Sequence, residues 1–154
     1  MHIKIICIGK IKKSYWQAAA TTYVQRLRRF CSLDIMELKD GPKHLPSCER
    51  MQVEAQAIQA KVSSQDIIIC LDSHGRSLTS PQLASQVKSW LEAPGQTPCF
   101  VLGGAYGLSA HLIEQSSSVL GLGPLTLPHE LARIVLLEQL YRALTIIHNH
   151  PYHH

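Results

Sequence analysis

At 154 residues the chain has the usual length of one domain and can bury a core without disulfide staples. Its 45% hydrophobic and 17% charged residues exclude a disordered tail, its longest apolar runs fall far short of the ~18 residues of a membrane span, and Met1-His2-Ile3-Lys4 does not open a signal peptide. The net charge of +4 is uneven: residues 1–50 hold ten Lys/Arg against four acids, a balance of +6, whereas residues 51–154 hold five against seven, a balance of −2, which points to a polyanion-facing end or a solvated helix face.

His2–Ile8 is β-branched and early alternating, which predicts a strand closed by Gly9. Ser14 is positioned to cap a helix to about Phe30, with Trp16, Ala20, Tyr23, Leu27 and Phe30 on one face. Leu33–Leu38 alternates as a second strand. Lys39–Ser47 carries Gly41, Pro42 and Pro46 and is expected to be a loop. A polar helix follows over about Cys48–Val62, with Met51, Ala55 and Ile58 inward. Asp66–Asp72 is a continuous apolar strand of the kind covered on both faces of a parallel sheet. A loop is expected over Ser73–Thr79, then a helix capped by Ser80 with Pro81 at its start, reaching Leu91. Cys99–Leu102 is another buried strand, ending in Gly103-Gly104-Ala-Tyr-Gly107. Ser109 starts a short helix, Ser118–Leu122 is a last strand, and His129–Ile147 is a long helix. Strands alternating with helices predict a single-domain α/β fold with a parallel sheet over 1–154.

Ligands of open α/β sheets lie beyond the carboxyl ends of the strands. Two such ends stand out, Leu71-Asp72 and Leu102-Gly103-Gly104. Glycine lets the main chain approach a ligand closely, so a side chain at Gly103 is expected to impair binding and spare folding. Neither G-x-G-x-x-G nor a P-loop occurs. The five cysteines, 7, 31, 48, 70 and 99, form no C-x-x-C pair and are expected to be free thiols in a reducing cytoplasm. His148, His150, His153 and His154 are close in sequence, but they lack Cys or carboxylate partners and Pro151 interrupts their spacing, so no metal site is expected.

The segments Phe100-Val-Leu-Gly-Gly-Ala-Tyr-Gly-Leu-Ser109, Leu125-Thr-Leu-Pro-His129, Glu138-Gln-Leu-Tyr-Arg142-Ala and His150-Pro-Tyr-His153, with Arg133, closely resemble the RlmH family. These are the 23S rRNA pseudouridine(1915) N3-methyltransferases of the SPOUT class. Ile8-Gly-Lys10 before Tyr15-Trp16 fits too, and the resemblance runs through the whole chain in order, with residues 39–62 alike only in character. It implies a C-terminal deep trefoil knot, an exception to the rule against knots.

The resemblance also implies S-adenosyl-L-methionine as cofactor, held by Leu71, Gly103 and Leu122, Gly123, Pro124, Leu125, Thr126 and Leu127. Apolar walls with main-chain donors and acceptors suit an adenosyl group. The implied acceptor is N3 of a pseudouridine of 23S rRNA within the assembled 70S ribosome, in the cytoplasm, without metal. Its imide proton must leave, and His129, Glu138, Tyr152 and His153 are candidates to receive it. Arg142 is grouped with the catalytic set. Lys10, Lys12, Lys13, Arg26, Arg28 and Arg29 are candidate RNA contacts, and Arg133 and Arg142 suit RNA phosphate, the cofactor carboxylate or an ion pair. Enzymes of this kind are homodimers in which one chain's tail lies near the other's cofactor. Two competing readings are a ribosome-binding protein that kept the fold without catalysis, and a flavodoxin-like nucleotide module, which lacks the expected loop at Gly9-Lys10-Ile11-Lys12.

Overall fold

The computed structural model describes residues 1–153; the side chain of His153 and all of His154 lie outside the described part, so His153 as a candidate proton acceptor has no geometry here. The strands are β1 (His2–Ile8), β2 (Ser32–Leu38), β3 (Asp66–Ser77), β4 (Thr97–Leu102) and β5 (Ser118–Gly121). The helices are α1 (Ser14–Leu27), α2 (Ser47–Gln59), α3 (Ser80–Leu91), α4 (Ala110–Glu114) and α5 (His129–Ile147), with a 3₁₀ turn over Pro151–His153. All strand pairings are parallel, in the order β2-β1-β4-β3-β5. Successive side chains of a strand face opposite ways, so β1 splits its apolar run between two layers. Ile3, Ile5 and Cys7 join Leu27, Phe100, Leu137 and Leu140 beneath α1, α3 and α5. Ile6 and Ile8 join Ile58, Cys70, Val101 and Leu112 beneath α2 and α4. This double covering is why β1, β3 and β4 read as unbroken apolar runs.

Several boundaries differ from the sequence expectation for identifiable reasons. Ser14 does not cap α1; Lys13 occupies that position without a side-chain bond. The helix ends at Leu27 because the next residues tighten into a turn, with Phe30 and Cys31 both donating to the Leu27 carbonyl. The cap of α3 is Thr79, one residue before the expected Ser80, in a reciprocal box with Gln82. Ser80 is occupied elsewhere: its hydroxyl donates to Gln139 Oε1 of α5 at 3.0 Å. Met51 of α2 is only half-buried, and the polar Glu54 is the residue that sinks inward, accepting the Gly41 N–H at 2.8 Å.

The largest departure is β3. It does not end at Asp72 but bulges between Leu71 and Arg76 and pairs again, so that Leu120 faces both Leu71 and Arg76. Glycines permit this. A Cβ on Gly75 would lie 2.6 Å from the Leu120 carbonyl carbon, and one on Gly121 2.7 Å from the Gly75 oxygen. Strand β5 therefore runs directly against the outer limb of β3, backbone on backbone.

Candidate active site

The carboxyl ends of β3, β4 and β5 open onto a cavity of about 740 Å³, within the range of small-molecule sites. It is lined by Leu71, Leu102 and Leu120 at the strand ends, by the turn 103–107, and by Leu122, Gly123, Leu125, Thr126 and Leu127. Pro128, His129 and Ala132 bring the start of α5 to its edge. The structure thus brings together Leu71, Gly103, His129 and five of the six residues 122–127. Pro124 is exposed and does not line the cavity.

Gly103 is required by the chain itself. A Cβ there would sit 2.5 Å from the carbonyl carbon and oxygen of Gly107, because the turn folds back on its own start through a Gly107 N–H bond to the Gly104 carbonyl. The expectation that a side chain at Gly103 would spare folding is therefore corrected: the turn cannot close over one.

Two cavity residues escaped the sequence reading as a pair. Asp72 Oδ1 accepts the His74 backbone N–H at 2.8 Å and lies 3.1 Å from His74 Nδ1. Asp72 lies in the irregular stretch of β3 between Leu71 and Arg76, with a histidine two residues on, the spacing of an Asx-turn; that spacing was the available signal. A carboxylate bonded to one ring nitrogen fixes the imidazole's orientation and leaves the other nitrogen available.

Arg133 does not join a basic surface. It is 3% exposed, pairs with Glu37 Oε1 at 2.5 Å and donates to the Gly9 carbonyl at 2.7 Å. It ties α5 to the carboxyl ends of β1 and β2, and its role as an RNA contact is corrected to that of an internal clamp. Beside it Lys12 donates its backbone N–H to Glu130 Oε1 at 3.3 Å, which places the exposed Lys10, Lys12 and Lys13 at the cavity end of the molecule.

The remaining candidates gather at the opposite end. Helix α5 starts at the cavity and ends where His148 stacks on Phe30, ring centroids 5.2 Å apart, near the amino end of β2. Thirteen positions separate His129 from Arg142, roughly 20 Å at the helical rise. Arg142 is bonded twice to Glu138 Oε1, at 2.8 and 3.0 Å, which raises its pKa further. Its guanidinium lies 5.2 Å from the Tyr152 ring centroid, and Tyr152 packs edge-on against Tyr141. Arg26 lies over the rings of Tyr23, Tyr141 and Tyr152. Desolvation, then a hydrogen bond with Tyr152, pushes the Tyr23 hydroxyl pKa up. Arg28 and Arg29 are exposed at this end, lining a shallow depression with Met1 and Phe30. The six candidate RNA contacts are thus split between two ends, Lys10, Lys12 and Lys13 at one and Arg26, Arg28 and Arg29 at the other.

Among the described residues no cluster of three or more His, Cys, Asp or Glu is placed to hold a metal, and no helix is long and apolar enough to cross a membrane. The family model described as "Predicted SPOUT methyltransferase" matches residues 1–153. A protein of Nitratidesulfovibrio vulgaris strain DP4 named ribosomal RNA large subunit methyltransferase H is 44% identical over 99% of this chain and 97% of its own. One of the same name from Maridesulfovibrio salexigens is 42% identical over the same shares. Two solved structures share the fold. A probable methyltransferase of Bordetella pertussis has a TM-score of 0.62 at 14% identity, covering 92% of this chain and 93% of that one. A probable methylase family protein of Haemophilus influenzae has a TM-score of 0.57 at 15% identity, covering 96% and 68%.

Proposed function

The chain belongs to the SPOUT methyltransferase family and is a methyltransferase, and we propose that it transfers a methyl group from S-adenosyl-L-methionine to N3 of the pseudouridine at position 1915 of 23S rRNA, in the 70S ribosome, as a cytoplasmic homodimer of single-domain subunits. The observation that carries this reading is the cavity at the ends of β3, β4 and β5. Its leucine and main-chain lining matches an adenosyl group, which needs apolar contact and backbone hydrogen bonds and no countercharge. The curated relatives named for large-subunit rRNA supply the substrate class.

When bound, the cofactor supplies an electrophilic methyl on a sulfonium, so the chain has no leaving group to activate. What remains for its residues is to hold the acceptor nitrogen in line and to receive the imide proton. His129 and His74, the latter bonded to Asp72, both line the cavity. Either imidazole offers a ring nitrogen to which the imide proton could pass. Tyr152, Arg142 and Glu138 lie too far along α5 to reach the cavity of their own chain. In an isologous dimer the tail end of one subunit meets the cavity end of the other; Tyr152 then closes the site of the partner subunit, and Arg142 keeps its pairing with Glu138 while facing substrate. Lys10, Lys12 and Lys13 beside one cavity, and Arg26, Arg28 and Arg29 from the neighbouring subunit, then form a continuous phosphate-facing surface. Such contacts position the substrate without specifying it. The close approach of Gly75 and Gly121 supports the knot that the family resemblance implies.

The test is methyl transfer from labelled S-adenosyl-L-methionine to 70S ribosomes and to free 23S rRNA lacking the modification, with mass mapping of the product. Label at N3 of the expected pseudouridine on ribosomes supports the reading. Cofactor binding without transfer to either substrate leaves the non-catalytic ribosome binder.

A further inference from the structure

Tyr106 is the second residue of the turn between Gly104 and Gly107, and over half of its side chain, 54%, is exposed. Few large apolar side chains among the described residues are so exposed, and two of them, Tyr106 and Leu125, stand at the mouth of the same cavity. The turn beneath Tyr106 is held in place. Gly104 packs so closely on Ile8 and Glu54 that a Cβ there would meet them at 3.0 and 3.3 Å. Glu54 in turn is buried and bonded to the Gly41 N–H.

One helical turn before Glu54, Arg50 lays its guanidinium 5.1 Å from the Tyr106 ring centroid, while its Nε is buried without a hydrogen-bond partner. An arginine free in solvent keeps its donors hydrated; this one is packed, with its guanidinium beside the ring. The result is a rigid planar ring, braced by a cation and otherwise open, at the entrance to the cofactor cavity.

We propose that Tyr106, backed by Arg50, is a stacking platform for a nucleobase of the RNA substrate. Planar π-faces accept unstacked bases, and guanidinium planes reinforce them. The shared chemistry, a flat heterocycle, could also come from the adenine of the cofactor. Exposure decides for the RNA: Leu102 and Leu120 of the same cavity are buried, whereas Tyr106 is 54% exposed and has a positive neighbour suited to a polyanion. This inference rests on the RNA-methylating reading above and assigns a substrate-positioning role to a residue in the turn.

The experiment compares the parent with Tyr106→Ala, Tyr106→Trp and Arg50→Ala in three measurements. These are ribosome binding in saturating S-adenosylhomocysteine, KM and kcat for methyl transfer, and calorimetry with S-adenosyl-L-methionine. Loss of the ring should weaken ribosome binding and raise KM by about tenfold, the scale of one base–aromatic stack. Tyr106→Trp should behave as the parent, Arg50→Ala should fall between, and cofactor affinity should stay within about twofold of the parent in all three. Unchanged ribosome binding in Tyr106→Ala beside an active parent overturns the platform alone. A matching loss of cofactor affinity overturns it in favour of adenine stacking. Dissociation of the parent oligomer in Tyr106→Ala overturns it in favour of a subunit contact. A parent that binds no ribosomes overturns the functional reading itself, and the platform with it.

Discussion

The two ends of α5 are built from different materials. At its amino end the cavity is lined by leucines, glycines and one Asp–His pair, with Arg133 buried beneath as an internal clamp. At its carboxyl end Tyr23, Tyr141 and Tyr152 gather around Arg26 and Arg142, a half-buried and cation-rich cluster. The first suits an uncharged nucleoside group, the second contact with a polyanion, and the helix holds them roughly 20 Å apart in one chain. If both ends serve one reaction, as proposed above, two subunits must combine to supply them.

The sharpest way to break this comparison is complementation. Leu127→Glu should abolish cofactor binding by placing a carboxylate in an apolar wall, and Tyr152→Ala should remove the tail's contribution. Each homogeneous variant should lose methyl transfer by ~100-fold or more, as misplaced reacting groups do. An equimolar mixture, refolded together, should recover about a quarter of the parent activity, because half of the dimers then carry one intact cavity facing one intact tail. No recovery would mean that cavity and tail of the same chain work together.

Next in size is the turn. Gly103→Val drives a branched side chain into the Gly107 carbonyl, and should cost about 3 kcal/mol of stability, the upper range for overpacking. Cofactor binding should vanish with it. Gly107 has open space for a Cβ but a φ of +81°, so Gly107→Ala should cost only about 1 kcal/mol. Urea denaturation separates the two. Equal effects would show that conformation, and not close approach, governs the turn.

Arg133→Met tests the clamp. It leaves the Gly9 carbonyl unpaired and Glu37 without its cation. Glu37 is 35% exposed on its side chain, so water can replace part of the loss, and about 2 kcal/mol is expected, below the cost of a fully buried pair. The salt dependence of ribosome binding should not change. A reduced salt dependence would return Arg133 to the RNA surface.

The thiols give a smaller, pH-dependent effect. Burial pushes Cys7 and Cys99 up to about 12 and Cys31 up to about 11, from a usual value of 9.0. An acid whose folded pKa is raised keeps its full stabilisation below the unfolded pKa and loses it as pH rises. Stability should therefore be insensitive to these groups below about pH 8 and fall from pH 9 towards 12, by up to about 1.4 kcal/mol per pH unit for each thiol. Alkylation at pH 8 should reach the exposed Cys48 and spare the buried four. Rapid modification of Cys7 would contradict the closure of the cavity-end core.

What the sequence disclosed follows from what is local. Apolar runs covered on both faces gave β1, β3 and β4, and the span of α5 is as expected, because an uninterrupted helix begins just after Pro128 and ends in a polar tail. The outer limb of β3 was hidden because its partner, β5, is more than forty residues away and the crossing depends on Gly75 meeting Gly121. Spacing does not reveal such long-range contact. Of the cavity lining, the glycine turn was legible as a strand end, whereas the 122–127 segment came only from the family resemblance, Pro124 excepted. The burial of Arg133 was not, since an arginine among leucines reads equally as a surface cation, and only the fold brings Glu37 and the Gly9 carbonyl to it.

The least effect is expected for the surface lysines and arginines, and it bears most directly on how the two ends meet. Lys12 and Lys13 stand beside the cavity, Arg28 and Arg29 beside the tail. In a dimer that joins one end to the other, both pairs face the same RNA. Phosphate contacts act through counterion release, so Lys12→Ala with Lys13→Ala should flatten the log-affinity against log-salt slope by ~1 unit for each phosphate no longer neutralised, and the Arg28→Ala with Arg29→Ala variant should do the same. Cofactor affinity should be unchanged in both. If only the lysine pair alters the slope, the arginines are a solvated face and the RNA is held by the cavity end alone. If neither does, the +6 balance of the first fifty residues keeps the protein soluble and the substrate is gripped by groups within the cavity mouth.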